Sequence, residues 1–223
     1  MDEVISLSDT TYARVREKLR EDILAGVFEP GVRIKITDLS QRYGVSQMPI
    51  REALQQLQGE GLVTIAPNKG ASVRSVDEKF ISNIYDIRGA LEAMLVQRAV
   101  AAITDAEVKK IEAIQTEYEA AQEKHDTKAL LDCNQQFHHA INVLAQNPEA
   151  LEMLNRSWGL IDFLRQKYKF GPNRLAAITS DHRNLLKALK RRDADAAERL
   201  AKKHCEMAKA DLISQMRAGR LRK

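Results

Sequence analysis

Cysteine is nearly absent: two residues in 223, Cys133 and Cys205, with no CxxC pair. That excludes a disulfide framework and a thiolate zinc ribbon, and it suits a reducing compartment. Aromatic residues make up only 5% of the chain, too few for platforms that stack the bases of single strands. Five prolines (Pro30, Pro49, Pro67, Pro148, Pro172) are scattered at element starts or loops, so there is no proline-rich linker, and no repeat or low-complexity segment is found. No apolar run approaches the roughly 20 residues of a membrane helix. The first residues, Met1 to Ser6, lack the basic-then-apolar pattern of a signal peptide, so a soluble cytoplasmic protein without membrane contact is expected. A positive surplus is also missing where DNA binding would want it. Residues 1–76 hold ten basic and ten acidic side chains, and the whole net charge of +4 lies in residues 77–223. Any nucleic-acid contact must therefore come from local placement of a few Arg and Lys.

What the chain does have is 44% apolar and 30% charged residues, enough for well-packed cores, in a length that suits two domains. Val15, Leu19, Ile23 and Leu24 recur at helical spacing between Asp9 and Gly26. After the Glu29-Pro30-Gly31 turn comes a short helix over Thr37–Tyr43, stopped by Gly44. A second follows at once, with Ser46 at its N-cap, Pro49 in its first turn and Ile50, Ala53, Leu54 and Leu57 on one face. Leu62–Ala66 and Ala71–Val76 read as a hairpin around Pro67-Asn68-Lys69-Gly70. From Asp77 every segment reads as helix. Breaks fall near Thr104, Asp126, Asn147, Gly171-Pro172 and Asp193, which gives about six helices. The expectation is a mainly α protein: a winged helix-turn-helix over residues 1–76, then an all-helical bundle over 77–223.

Two short helices with a tight turn and a following hairpin suit DNA binding, or a small domain that binds another protein. A helix fits the major groove, and its first residues reach base edges. On Ser46–Gln58 those residues are Gln47, Met48 and Arg51; Gln suits adenine, and Arg suits guanine or a phosphate. The small, basic tip Asn68-Lys69-Gly70 suits the minor groove or a flanking phosphate. The stretch from Leu39 to Leu57 (LSQRYGVSQMPIREALQQL), with Gly61-Leu62-Val63 and Asn68-Lys69-Gly70, closely resembles the N-terminal domain of the GntR family of regulators. The resemblance implies a homodimeric repressor that reads a palindromic operator in double-stranded DNA. It also implies a phosphate contact for Arg33. The family commonly has Arg where this chain has Gln47, so a different base preference is implied there.

Three of the five histidines lie within apolar stripes on separate helices. His138 follows Leu130, Asn134 and Phe137, His182 lies between Ile178 and Leu185, and His204 sits among Ala197, Leu200 and Met207. Each alone reads as a core histidine with a hydrogen-bond partner. The three together also suit one divalent metal, with the Asn134 amide a turn from His138 as a fourth ligand; both readings stand at this point. His139, Cys133 and Cys205 point about 100° away from these directions, and His125 falls in a loop. Arg88 and Arg165 also fall on apolar stripes, Arg165 in line with Trp158, and a buried guanidinium needs an anion. That anion is an internal carboxylate such as Glu92 or Asp162, or a bound ligand. The basic end from Arg217 onward reads as a solvated, disordered tail.

Residues 77–217 resemble the helical C-terminal domain of the FadR subfamily of GntR regulators, in its VanR-type group. The carrying motifs are Ile84–Glu92 (IYDIRGALE), Asn134-Gln135-Gln136-Phe137-His138, Asp181-His182 and His204. The resemblance implies a metal held by Asn134, His138, His182 and His204, with Asn134 where many members carry Asp. Nitrogen and oxygen ligands suit zinc first, then nickel or manganese. It also implies a small organic acid bound near the metal, with the family's pattern favouring Arg88 as an effector contact; Arg165 and Trp158 are further effector-facing candidates from their place on the stripe, Trp158 reading equally as core. The chain is therefore expected to be a regulator and not an enzyme. Two alternatives are a metal-dependent hydrolase and a DNA-binding protein that takes no ligand.

Overall fold

The computed structural model describes residues 7–66 and 70–221. The chain divides into two compact units, Met1–Phe80 and Ile81–Lys223, a few residues beyond the expected boundary.

In the first unit α1 (Leu7–Ala25) buries Val15, Leu19 and Ile23, four residues apart each time, and stops at Gly26, whose φ is 81°. Its Arg20, also buried, is held by Glu17 and by Glu60. The strand β1 (Arg33–Ile34) precedes α2 (Ile36–Tyr43), which ends at Gly44 with φ 65°. That left-handed turn is open to glycine without strain, and it lets α3 (Gln47–Gly59) start three residues later. Ser46 occupies the N-cap position of α3, as its sequence suggests, but its side chain makes no capping hydrogen bond. Ile50, Ala53, Leu54 and Leu57 are buried under α1. The hairpin β2 (Val63–Ala66) and β3 (Gly70–Val73) gains β1 as a third strand, in the order β1-β3-β2. Two residues are too short a run for an alternation signal, so β1 was not foreseen. Its register pairs Arg33 with Ser72 and Ile34 with Ala71.

The second unit is helical: α4 (Glu78–Ala102), α5 (Asp105–Glu123), α6 (Thr127–Asn142), α7 (Pro148–Asn155), α8 (Trp158–Tyr168), α9 (Arg174–Lys190) and α10 (Ala194–Leu221), with one 3₁₀ turn at Val143–Ala145. Thr104, Asp126 and Asn147 cap α5, α6 and α7 through their side chains, Thr104 in a full capping box. The sequence reads as one helix across α7 and α8. The break at Arg156-Ser157 keeps helical dihedrals at both residues, so the apolar phase runs straight through it. The basic end is also more ordered than expected: α10 continues through Leu221. Val96, Ile111, Phe137, Ile141, Leu185, Leu189 and Ala201 pack into one core that draws on α4, α5, α6, α9 and α10. One turn along from this core the same five helices turn polar, and the candidate site begins there.

Candidate functional site

His138 on α6, His182 on α9 and His204 on α10 are all buried. One ligand atom from each lies within 4.8 Å of the others, and ring centroids are 5.3, 5.1 and 5.1 Å apart. Imidazoles sharing one tetrahedral ion at about 2.0–2.1 Å have centroids roughly 5 Å apart. Each Nδ1 faces an oxygen. His182 Nδ1 donates to Gln115 Oε1 at 2.7 Å, and His204 Nδ1 donates to Asp181 Oδ2 at 3.0 Å. His138 Nδ1 lies 3.1 Å from Glu92 Oε2. Ring orientation of this kind fixes the tautomer and leaves Nε2 as the lone-pair nitrogen. His182 Nε2 is buried with no hydrogen-bond partner. Such an orphan costs about 1–3 kcal/mol, which a bound cation would relieve, so the donor set fits a metal. Phe137 stacks on the His182 ring at 4.0 Å and 8°, holding it in place. Asn134 is half-buried and lines the same cavity. Met207, expected on the apolar stripe with His204, is exposed, because three residues leave it about 60° off that direction.

The cavity beside the histidines has about 50 Å³ of room for the centres of water-sized molecules, and Arg88, Trp158 and Arg165 all line it. The guanidinium of Arg88 lies 4.0 Å from the Trp158 ring centre and donates to Glu92 Oε1 at 2.6 Å, Ser157 Oγ at 3.0 Å and Leu154 O at 3.3 Å. Burial alone would raise the Glu92 carboxyl, but His138 and Arg88 hold it below the usual carboxylate range. Arg165 donates to Asp211 Oδ2 at 2.5 Å and to Ala208 O at 2.7 Å. Its internal carboxylate partner is Asp211, brought from α10.

On the first unit Gln47, Met48 and Arg51 are exposed on the leading turns of α3, with Met48 64% accessible. Arg33 is exposed on β1, and its Nε would lie 3.1 Å from a Cβ built on Gly70, so Arg33 flanks the base of the hairpin turn. Asn68 and Lys69 lie outside the described residues.

The chain matches the profile of the bacterial regulatory proteins, gntR family, over residues 11–73 and that of the FCD domain over residues 83–207. It is 32% identical to the HTH-type transcriptional repressor GlaR of Escherichia coli over 213 residues, 90% of this chain and 94% of that protein. It is 31% identical to the HTH-type transcriptional regulator YdhC of Bacillus subtilis over 189 residues, 84% of each. The solved structure of E. coli McbR/YncC superimposes with a TM-score of 0.68 at 26% identity, covering 92% of this chain and 98% of that one. The chain belongs to the GntR family of transcription regulators. It is a GntR regulator of the FadR/VanR type, with a winged helix-turn-helix and an FCD effector domain. The family consists of DNA-binding regulators, so the hydrolase alternative falls. No helix among the described residues is long and apolar enough to cross a membrane.

Sequence reading did not assign the oxygens behind the imidazoles of this GntR regulator. Gln115 carried a usable signal, a polar residue on the stripe Val108, Ile111, Tyr118 of α5. Burial, joined at His182 by its cationic neighbours and opposed at His204 by Asp181, lowers the pKa of both below 6.5, and that of His182 far below. His182 therefore stays neutral in the folded state, and His204 takes up its proton at lower pH than in the unfolded chain, whose histidines protonate below about pH 6.5. Stability of the metal-stripped protein is accordingly complete above that pH and falls as pH drops through it. The cost is up to about 2 kcal/mol for a histidine still neutral at pH 5. Urea titrations of stripped protein at pH 7.5 and pH 5 check this; equal midpoints would refute it.

Proposed function

We propose that this GntR regulator is a cytoplasmic homodimeric repressor that leaves its operator when a small carboxylate-bearing metabolite binds beside a metal in the helical unit. The observation that carries the reading is the trio of convergent imidazoles, with an unsatisfied His182 Nε2, against a cavity walled by arginines. His138, His182 and His204 hold the ion, with Asn134 next to them, and nitrogen with oxygen donors suits zinc ahead of nickel or manganese. A divalent ion there supplies an electrophilic site for a ligand oxygen. Arg88, Trp158 and Arg165 form the effector-facing wall. The repressor role is supported by the likeness to GlaR, itself named a repressor.

The domain comprising residues 1–76 binds DNA. Two copies, paired through the helical units of residues 77–223, reach the two halves of a palindrome about one helical turn apart. Arg51 reads a base edge, Gln47 suits adenine, and exposed Met48 suits a thymine methyl. Arg33, Asn68, Lys69 and Gly70 contact the backbone or the minor groove at the hairpin. The effector acts only through a difference in its affinity for two dimer geometries.

The test uses an operator selected from random-sequence DNA and fluorescence anisotropy. Arg51→Ala weakens binding to it by about 1–3 kcal/mol and relaxes preference at one base position. An equal loss on all sequences would demote Arg51 to a phosphate contact. Unchanged binding would dismiss α3 as the reading helix.

A further inference from the structure

One charged side chain at the cavity was not anticipated from the sequence. Arg174, at the first position of α9, is 5% exposed and lines the cavity. Arg88 and Arg165 have their donors engaged by protein oxygens at 2.5–3.3 Å. Arg174 does not. Its Nε and one terminal nitrogen are buried with no hydrogen-bond partner, and the nearest carboxylate oxygen, Asp181 Oδ2, is 3.6 Å away and already accepts from His204. Its remaining nitrogen reaches only His204 O, at 3.5 Å. The hydroxyl of Tyr118, buried on the same cavity, is likewise without a partner. A buried guanidinium with unmatched donors is costly unless an anion meets it. A planar fork with a nearby hydroxyl suits a carboxylate, which accepts through both oxygens.

We infer that Arg174, aided by the Tyr118 hydroxyl, is the anchor for the carboxylate of the bound metabolite, and that the metabolite is a small bifunctional acid. Its carboxylate lies on Arg174, and a second oxygen group, a hydroxyl or another carboxylate, serves the histidine-bound ion. The inference rests on the ligand-sensing reading above but specifies its chemistry and its holder.

Calorimetry on the zinc-loaded full chain tests it with acetate, lactate, malate and succinate as probes. At least one bifunctional acid binds about tenfold or more tightly than acetate. R174Q brings that acid down to the acetate level with unchanged zinc content by elemental analysis. R174K recovers part of the affinity, and Y118F loses several-fold. Equal affinity of R174Q and wild type would overturn the assignment, as would acetate binding as tightly as the best bifunctional acid or no binding at millimolar concentration. Ligand-free R174Q melts no lower than wild type, because it removes a buried cation with unmatched donors. A lower melting temperature would mark Arg174 as a structural partner of Asp181 and overturn the assignment too. Acids that bind through Arg174 yet leave operator affinity unchanged would remove the effector role and leave the binding site standing.

Discussion

Replacing His182 by alanine strips the protein of its metal: content measured by elemental analysis falls from about one ion per chain to near zero. The expectation follows from where this imidazole sits. It is 1% exposed, its Nδ1 is held by Gln115, and its Nε2 has no protein partner. Removing one of three nitrogens costs far more than disturbing an orienting neighbour, which alone typically costs 10–100-fold in metal affinity. The second readout is the stabilisation produced by added zinc. At 100 times the dissociation constant a bound ion contributes about 2.7 kcal/mol to the wild type, and the variant should show none of it. Comparing the zinc-induced shift, and not absolute stability, separates metal loss from the cost of a vacated ring site. Full metal content in His182→Ala would dismiss the centre.

Phe137→Ala has the largest expected effect on stability. Phe137 is fully buried, belongs to the main core of the helical unit, and stacks on His182 while meeting His138 edge-on at 5.6 Å. Deleting a buried phenyl ring costs about 3–5 kcal/mol through lost transfer free energy and the cavity left behind. Here it also frees the His182 ring to tilt, so metal affinity falls as well. Urea denaturation of the zinc-free variant measures the first effect, and zinc titration the second. A loss under about 1 kcal/mol would mean that the site collapses around the gap and that the stack does not hold the ring.

The N-terminal architecture was legible because its signals are local. Gly44, Ser46 and Pro49 punctuate α2 and α3, and the spacing of Ile50, Ala53, Leu54 and Leu57 dictates which face is buried. It follows that Gln47, Met48 and Arg51 face outward, as they do. The three histidines were legible as candidates for a related reason: each breaks an apolar stripe at helical spacing. Trp158 and Arg165 share one stripe because both lie on α8, after the unforeseen break at Arg156-Ser157.

The partners of those residues were not legible. Arg165 could be assigned a carboxylate but not Asp211, which lies 46 positions away on α10. Gln115 is 67 positions from His182, and nothing local links them. Arg174 stands at a helix start after Pro172 and Asn173, with no preceding stripe to mark it as buried. Its unmatched donors exist only because α9 packs so that no neighbouring carboxylate comes closer than 3.6 Å.

The sequence by itself determined the two-part plan, the outward face of α3 and the inward face of each histidine-bearing helix, because periodicity and capping act within a few residues. Tertiary structure alone decided which oxygen stands behind each imidazole and which arginine is left with donors to offer. Those outcomes depend on distances between side chains far apart in the chain, and packing of whole helices, not local preference, sets them.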